Sequence, residues 1–404
     1  MSLIELNDLV YGESTDASVN IQRHLRKFYP RKSAFKPLEK IQIMIQGEQF
    51  VDMKNSSLRF TLVPNANITW GTGSALNVIR RCRIMSSSGK EISDSRRNNL
   101  YQKQANKLYQ SAQYNEFVAP VWGAEGKRNA ESGINNTYVI PMRHVSPFFD
   151  NDQLLPPMVS RDLIIEIYLE SVNRVGVAAG LTDYDIVDPV LIADCVLATA
   201  DITQAIDSMT DSGMIYEYHD VVHAETNASA DRIDFVLPHS LSNALEGFVV
   251  SRNDVIINDV ALDNFVSLPI PDEKNGDYLE NKVVFRIGDI QLPQIEAVGG
   301  YEIYNMLLNA RGQYNNSKAQ DFNMTFENFL DSSGSGGAYA CYFVNLRRSK
   351  LFDNSGREVS NQRNLICQFR RQRIPDPTPV SVNDFFVKYV GRIHIKNGII
   401  DVER

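Results

Sequence analysis

Two histidines come nearest to a metal motif. In YEYHDVVHAE, His219 and His223 stand four residues apart, with Glu217, Asp220 and Glu225 around them. On a helix that spacing puts both imidazoles on one face, where they could ligate zinc. A zinc-protease helix, however, needs a glutamate where Asp220 stands. The flanking IYEYHDVVH also alternates like a strand, which would set the two rings on one side roughly 13 Å apart, too far to share an ion. NDVIINDVALDN supplies Asp254, Asp259 and Asp263, but not at the spacing of a calcium loop, so they read as solvated turn carboxylates. No P-loop, no GxGxxG after a strand, no GxSxG elbow and no Ser/His/Asp set is present. No catalytic, metal or cofactor-binding residue is therefore assigned, and no cofactor is expected.

The remaining chemistry is cationic. From Ala17 to Leu38 there is no acidic residue, while Arg23, Arg26, Lys27, Arg31, Lys32 and Lys36 crowd the same window beside His24. The chain as a whole carries a net charge of −8. The window reads as a basic N-terminal arm (residues 1–37) on an acidic body. Such an arm suits a phosphate surface, lipid headgroups or nucleic acid; otherwise it is a solvated extension. Two further basic clusters, QFRRQR (368 to 373) and NLRRSK (345 to 350), read as polar sheet faces.

The elements that must carry these residues are strands. Ile41, Ile43 and Ile45 alternate in EKIQIMIQ; Leu58, Phe60 and Leu62 in SSLRFTLVP; Leu163, Ile165, Ile167 and Leu169 in RDLIIEIYLES. In the second half Ile233, Phe235 and Leu237 alternate, as do Val283, Phe285 and Ile287, and Phe385, Val387, Tyr389, Ile393 and Ile395. This period of two marks half-buried strands. Gly, Pro, Asn, Asp and Ser clusters separate them. Without helical crossovers the pairing must be antiparallel.

Helical periodicity is rare and occurs once per half. After Ser95, a candidate N-cap, Tyr101, Ala105, Leu108 and Ala112 form one stripe. After Gly300, Tyr301, Tyr304 and Leu308 form another. A chain of 404 residues suits two domains. The segment 196–218 is the best junction, giving domains at 38–205 and 206–404. About eight strands per half is the number a jelly-roll sandwich needs. The fold expected is all-β: two tandem eight-stranded antiparallel jelly rolls, each with an inserted short helix. The irregular stretches 115–136 and 144–160 and the Gly/Ser loop 331–338 should carry surface contacts. Cys82, Cys195, Cys341 and Cys367 are scattered and suggest no disulfide framework or zinc site, and a reducing compartment is expected. The first residues show no signal peptide, and no run approaches the roughly 20 apolar residues of a spanning helix.

Two sandwiches in tandem, each with a helix after its fourth or fifth strand, resemble the double jelly-roll major capsid proteins of double-stranded DNA viruses. That lineage includes tectivirus-like phages, adenoviruses, virophages and polinton-like viruses. FVDMKNSSLRFTLVPN followed by ALNVIRRCRIMSSSGKEISDSRRNNLYQKQANKL carries the likeness in the first half, and LPQIEAVGGYEIYNMLLNA in the second. The resemblance implies a non-catalytic homotrimer, pseudo-hexameric in outline, that tiles an icosahedral shell. It implies contacts with neighbouring capsomers and with penton, minor capsid or cement proteins, and an inward basic arm that meets an inner membrane or the genome. It places the protein in the virion after synthesis in host cytoplasm. Two other readings stand beside it. One is a minor capsid or spike protein. The other is a carbohydrate-binding or hydrolytic β-sandwich, for which only Trp70 and Trp122 are available as groove tryptophans.

Overall fold

The computed structural model describes residues 22–47, 49–197, 212–229, 232–268, 270–271, 281–311, 322–331, 338–348, 355–360, 362–370, 380–396 and 399–404, with positions 204 and 208. The alternating segments form strands whose apolar faces meet in two sandwiches. In the first half these are β1 (Gln22–Phe28), β2 (Ala34–Phe35), β3 (Lys40–Ile45), β4 (Phe50–Pro64), β5 (Ile79–Met85), β6 (Glu91–Arg96), β7 (Asn136–Pro141), β8 (Leu163–Leu169) and β9 (Tyr184–Leu197). One sheet runs β1-β9-β4-β7, with β2 beside β9, and the facing sheet runs β3-β8-β5-β6. The pairs are antiparallel, and register follows the apolar pattern: Ile41 sits opposite Ile167 and Ile43 opposite Ile165.

The second half repeats this plan. Its strands are β10 (Met214–Ala228), β11 (Arg232–Val236), β12 (Leu241–Asn253), β13 (Ile270–Pro271), β14 (Lys282–Ile287), β15 (Ile290–Val298), β16 (Leu330–Asp331), β17 (Tyr342–Asn345), β18 (Arg357–Val359), β19 (Leu365–Arg370), β20 (Ser381–Lys396) and β21 (Ile399–Glu403). The sheets run β10-β20-β12-β17 and β11-β19-β14-β15. β18 and β21 extend the first of these, and β13 and β16 form a small parallel pair. In both halves the first long strand pairs with the last, and the second with the next to last. That nesting is a jelly roll. One twelve-residue helix leaves each roll at the same point: α1 (Asn98–Tyr109) after β6 and α2 (Gly299–Ala310) after β15.

Two expectations change here. The basic window 22–37 is not an arm. β1 pairs along its whole length with β9, from Gln22 opposite Leu197 to Phe28 opposite Leu191. A strand so paired belongs to the first roll, whose boundary therefore moves back to at least residue 22. Residues 1–21 lie outside the described part. Ser95 does not cap α1 either. It lies within β6, and the cap position is Arg97 in a left-handed conformation. The junction proposed at 196–218 spans the end of β9 and the start of β10, and most of the positions between them lie outside the description. So do most of the Gly/Ser loop and the last residues of the two basic clusters.

The two cores exchange residues. Tyr216, Tyr218, Ile393 and Ile395 of the second roll pack into the first core, whereas Leu100, Tyr101, Ala105 and Leu108 of α1 pack into the second. Gly391 makes room for one of these exchanges. It sits directly opposite Tyr218 in the β10–β20 ladder, and a Cβ there would lie 2.4 Å from the Tyr218 ring. The ring lies over that gap and its hydroxyl donates to the Ile92 carbonyl of the first roll at 3.0 Å. Gly391→Ala should destabilise the protein by about 1–3 kcal/mol, as overpacked cores do. Thermal unfolding measures it, and an unchanged midpoint would show that the ring moves aside freely.

Candidate functional site

α1 has the sequence NNLYQKQANKLY, more polar than apolar, yet every residue from Asn98 to Leu108 is buried. It lies in the seam between the rolls, and its side chains divide between them. On the second-roll side the Tyr101 ring stacks on Phe248 at 5.8 Å and lies 5.7 Å from Phe386. Lys103 Nζ donates to the carbonyls of Phe265 (2.5 Å) and Ala338 (2.6 Å) and sits 4.5 Å from the Tyr339 ring. Gln104 Nε2 donates to the Tyr339 carbonyl at 2.7 Å. On the first-roll side Asn98 Nδ2 donates to the Val145 carbonyl at 2.8 Å, and Asn99 Nδ2 to Glu170 at 3.1 Å. Lys107 pairs with Glu125 at 2.8 Å. Most of these buried groups find partners, while the side-chain oxygens of Asn98, Gln104 and Asn106 have none among the described residues; the bonds that are made favour one docking of roll on roll.

The seam perturbs its titratable groups. Burial pulls Lys103 down to about 7. Burial, with Arg143 beside it, pulls His144 down to about 3. Burial raises Asp220 to about 6 even though its carboxylate accepts from the Val221 amide at 2.8 Å. Ser95 from the first roll and Tyr389 from the second each donate to Asp220 at 3.2 Å.

The seam leaves an asymmetry between the rolls. The second roll's outer sheet is covered on both faces: β12 is buried without a break from Ala244 to Arg252, and β20 from Ser381 to Val387. The equivalent sheet of the first roll is covered less completely: β4 is buried on both faces only at Phe50–Met53. β4 alternates from Ser56 to Pro64, and Ser57, Arg59 and Thr61 point outward half-exposed. Leu25 on β1 is 71% exposed. The helices differ in the same sense. α2 buries Gly299, Gly300, Ile303 and Leu307, while Tyr301, Glu302, Asn305 and Asn309 are exposed. The adjoining edge strand β15 presents Ile295, 84% exposed. Nothing in the sequence distinguished the two helices in this respect, because solvent and a second roll look alike from one strand of text.

Of the six cations singled out in the sequence, three are engaged within the first roll. Arg23 binds Asp194 at 2.9 Å and also Asp52. Lys32 binds Glu39 at 2.8 Å, and Lys36 binds Asp183 at 2.6 Å and Asp185 at 3.0 Å. The Arg26 guanidinium lies 5.4 Å over the Phe28 ring. Lys27 and Arg31 have no ion-pair partner among the described residues. The histidines lie on strand β10 and open onto different cavities, His219 beside α1 and His223 on a groove between the rolls. His223, Glu225 and Asp384 bring potential ligand atoms within 4.8 Å of one another. Two guanidiniums already hold that set: Arg252 binds Asp384 at 2.7 Å and Arg97 binds Glu225 at 3.1 Å. A dication there would have to displace both, so the residues do not fit a metal. Asp259 accepts from the Ala261 amide at 2.9 Å, and Asp263 accepts from the amides of Thr72 (2.7 Å) and Phe265 (3.0 Å), as turn carboxylates do. Trp70 and Trp122 are both buried and offer no sugar platform. All four cysteines are buried and unpaired.

Comparison with solved structures matches this architecture over almost the whole chain. PBCV-1 VP54, fitted into a reconstruction of the virophage Sputnik, superposes with a TM-score of 0.65 at 10% identity, covering 96% of this chain and 98% of that one. The Faustovirus major capsid protein gives 0.65 at 8% identity, covering 96% and 92%. A chain of the Sputnik virophage gives 0.55 at 13% identity, covering 100% and 92%. The fold is the double jelly roll. No family model matches the sequence, and no curated protein does. At such identities the double jelly roll is carried by strand order and burial pattern.

Two outcomes test the seam. Tyr101→Ala removes the stacked ring from the second core and should cost about 3–5 kcal/mol. Calorimetry should then resolve two transitions, one per roll; a single sharp transition would show that α1 does not couple them. For Asp220, a carboxyl raised in the folded state stabilises below its ordinary value of 3.8 and loses that contribution as pH rises through about 6. Unfolding midpoints of the wild type should therefore fall between those values, and Asp220→Asn should abolish the fall. A variant with the same pH profile would contradict this.

Proposed function

We propose that the protein is a viral major capsid protein that acts as a homotrimer, a structural subunit without catalysis. The observation that carries the reading is the asymmetry of the seam. Within one chain α1 and the edge of the first roll cover the outer sheet of the second. The matching elements, α2 and β15, and the matching sheet, β1-β9-β4-β7, are left open, and they cannot meet inside one chain. A neighbouring copy supplies the missing contact. The contact is heterologous, and repeating it closes a ring when the rotation divides a full turn. If the two rolls occupy equivalent positions, three copies close a ring of six rolls. The surfaces carry opposite charges that could pair: Lys27 and Arg59 on one, Glu296 and Glu302 on the other. Leu25 and Ile295 supply apolar contact at their centres.

In this reading the pseudo-hexameric trimers tile an icosahedral shell in the virion, after synthesis in host cytoplasm. Their partners are neighbouring capsomers and penton, minor capsid or cement proteins. The fold shared with the capsid chains above supports the role. Arg31, beyond the end of β1 and without an ion-pair partner among the described residues, is left to meet an inner phosphate surface, membrane or genome, together with residues 1–21.

Light scattering tests the assembly. The wild type should run at three times 45.6 kDa or as a larger multiple. Leu25→Asp combined with Ile295→Asp should give monomers with the unfolding midpoint of the roll–roll seam intact. A wild-type protein that stays monomeric at all concentrations would overturn the proposal.

A further inference from the structure

A second groove between the rolls has a composition that the trimer does not use. It holds about 960 Å³. Five arginines line it: Arg80 and Arg81 at the start of β5, Arg96 at the end of β6, Arg97 just beyond it, and Arg174. The carboxylates on its wall are Glu225 and Asp234. The guanidiniums are unevenly compensated: Arg97 is held by Glu225 at 3.1 Å, with Glu170 at 3.8 Å, and the others less fully. Arg81 and Arg96 share one carboxylate, Asp94, at 2.9 Å and 2.8 Å. Arg174 holds only the amide oxygen of Asn258, at 2.8 Å and 3.0 Å. Arg80 has no hydrogen bond or ion pair among the described residues. Arg97 is held at φ 50°, a left-handed conformation that non-glycine residues seldom adopt outside functional or tightly constrained sites. Burial, with Arg97 beside it, lowers the Arg174 pKa, consistent with crowded like charges.

Half-buried guanidiniums gathered against their mutual repulsion are relieved by oxyanions, which they grip bidentately. The opposite wall says which kind. It is formed by β11, an edge strand of its sheet in the order β11-β19-β14-β15. Its Val236 is 44% exposed, and Phe235 and Pro238 continue the apolar lining. An edge strand offers free backbone N–H and C=O groups to an extended peptide. A peptide paired with β11 through its backbone turns alternate side chains to the two faces of the sheet, so a sequence that alternates acidic and apolar residues would direct all its carboxylates to one face, towards the arginines. A polynucleotide fits less well, because its backbone has no amide groups to pair with the edge of β11. We propose that this groove docks an extended acidic segment of another protein by strand addition along β11, its carboxylates gripped by Arg80 and Arg174. The proposal holds whether or not the chain builds a capsid.

The test uses the full chain and a fluorescein-labelled heptapeptide, Asp-Val-Glu-Val-Asp-Val-Glu, followed by anisotropy. Saturable binding at low salt that weakens as salt is added is expected. The Arg80→Gln/Arg174→Gln variant should bind at least about tenfold more weakly, the scale of one lost charged hydrogen bond. Its unfolding midpoint should match the wild type, since neither arginine is in an ion pair among the described residues. Absence of binding at low salt, or equal binding by the variant, would overturn the proposal. So would a thymidine hexanucleotide that binds as tightly as the peptide.

Discussion

A polar helix with no face left to water is the constraint on which the rest of this molecule depends. α1 carries two lysines, two glutamines and three asparagines, and all of them are buried. Each such group costs on the order of 1–3 kcal/mol if left without a partner. Lys103 and Gln104 find theirs on backbone carbonyls of the second roll, while Asn98 and Asn99 find theirs on the first. These bonds favour this arrangement of the two rolls over others that would break them. An apolar helix of the same length would tolerate sliding, because hydrophobic contact is not directional. The polar set converts a connection into a fixed angle. A fixed angle between two nearly identical units is what a closed ring requires.

From that constraint the asymmetry follows. A chain made of two equivalent rolls, joined through the helix of the first and the sheet of the second, must end with the helix of the second and the sheet of the first unmatched. Exposed apolar residues remain on α2, β15 and β1, among them Tyr301, Ile295 and Leu25. This account also changes the meaning of the basic window. Arg23, Arg26 and Lys27 are placed by a strand, and three of the six cations, Arg23, Lys32 and Lys36, are engaged with Asp52, Asp183, Asp185, Asp194 and Glu39 of the same roll.

Much of the fold was legible because the strands are half-buried. Ile41, Ile43 and Ile45, or Leu163 to Leu169, alternate since one face meets the core and the other does not. Both helices were legible in place, but their buried faces only in part: Tyr101, Ala105 and Leu108 are buried as read, Ala112 lies beyond α1, and α2 buries Ile303 and Leu307 rather than Tyr301, Tyr304 and Leu308. What escaped was whatever depends on long-range pairing. β1 is rich in cations and reads as an extension, yet its backbone ladder with β9 spans a sequence separation that no local pattern reports. Ser95 looks like a cap, but β6 runs one residue past it, and Arg97 takes the cap position by adopting a left-handed conformation. The arginine groove was invisible for the same reason, since Arg80, Arg97 and Arg174 belong to separate segments that only the fold brings together. The histidine pair was read as lying on a strand, and β10 carries both residues, each on its own cavity.

Electron cryomicroscopy of the purified assembly tests the central claim most directly. The account predicts a threefold particle in which α2 and β15 of each copy sit on the β1-β9-β4-β7 face of the next, repeating the packing of α1 on β12 and β20. A particle of another symmetry, or a trimer in which α2 faces solvent, would contradict it.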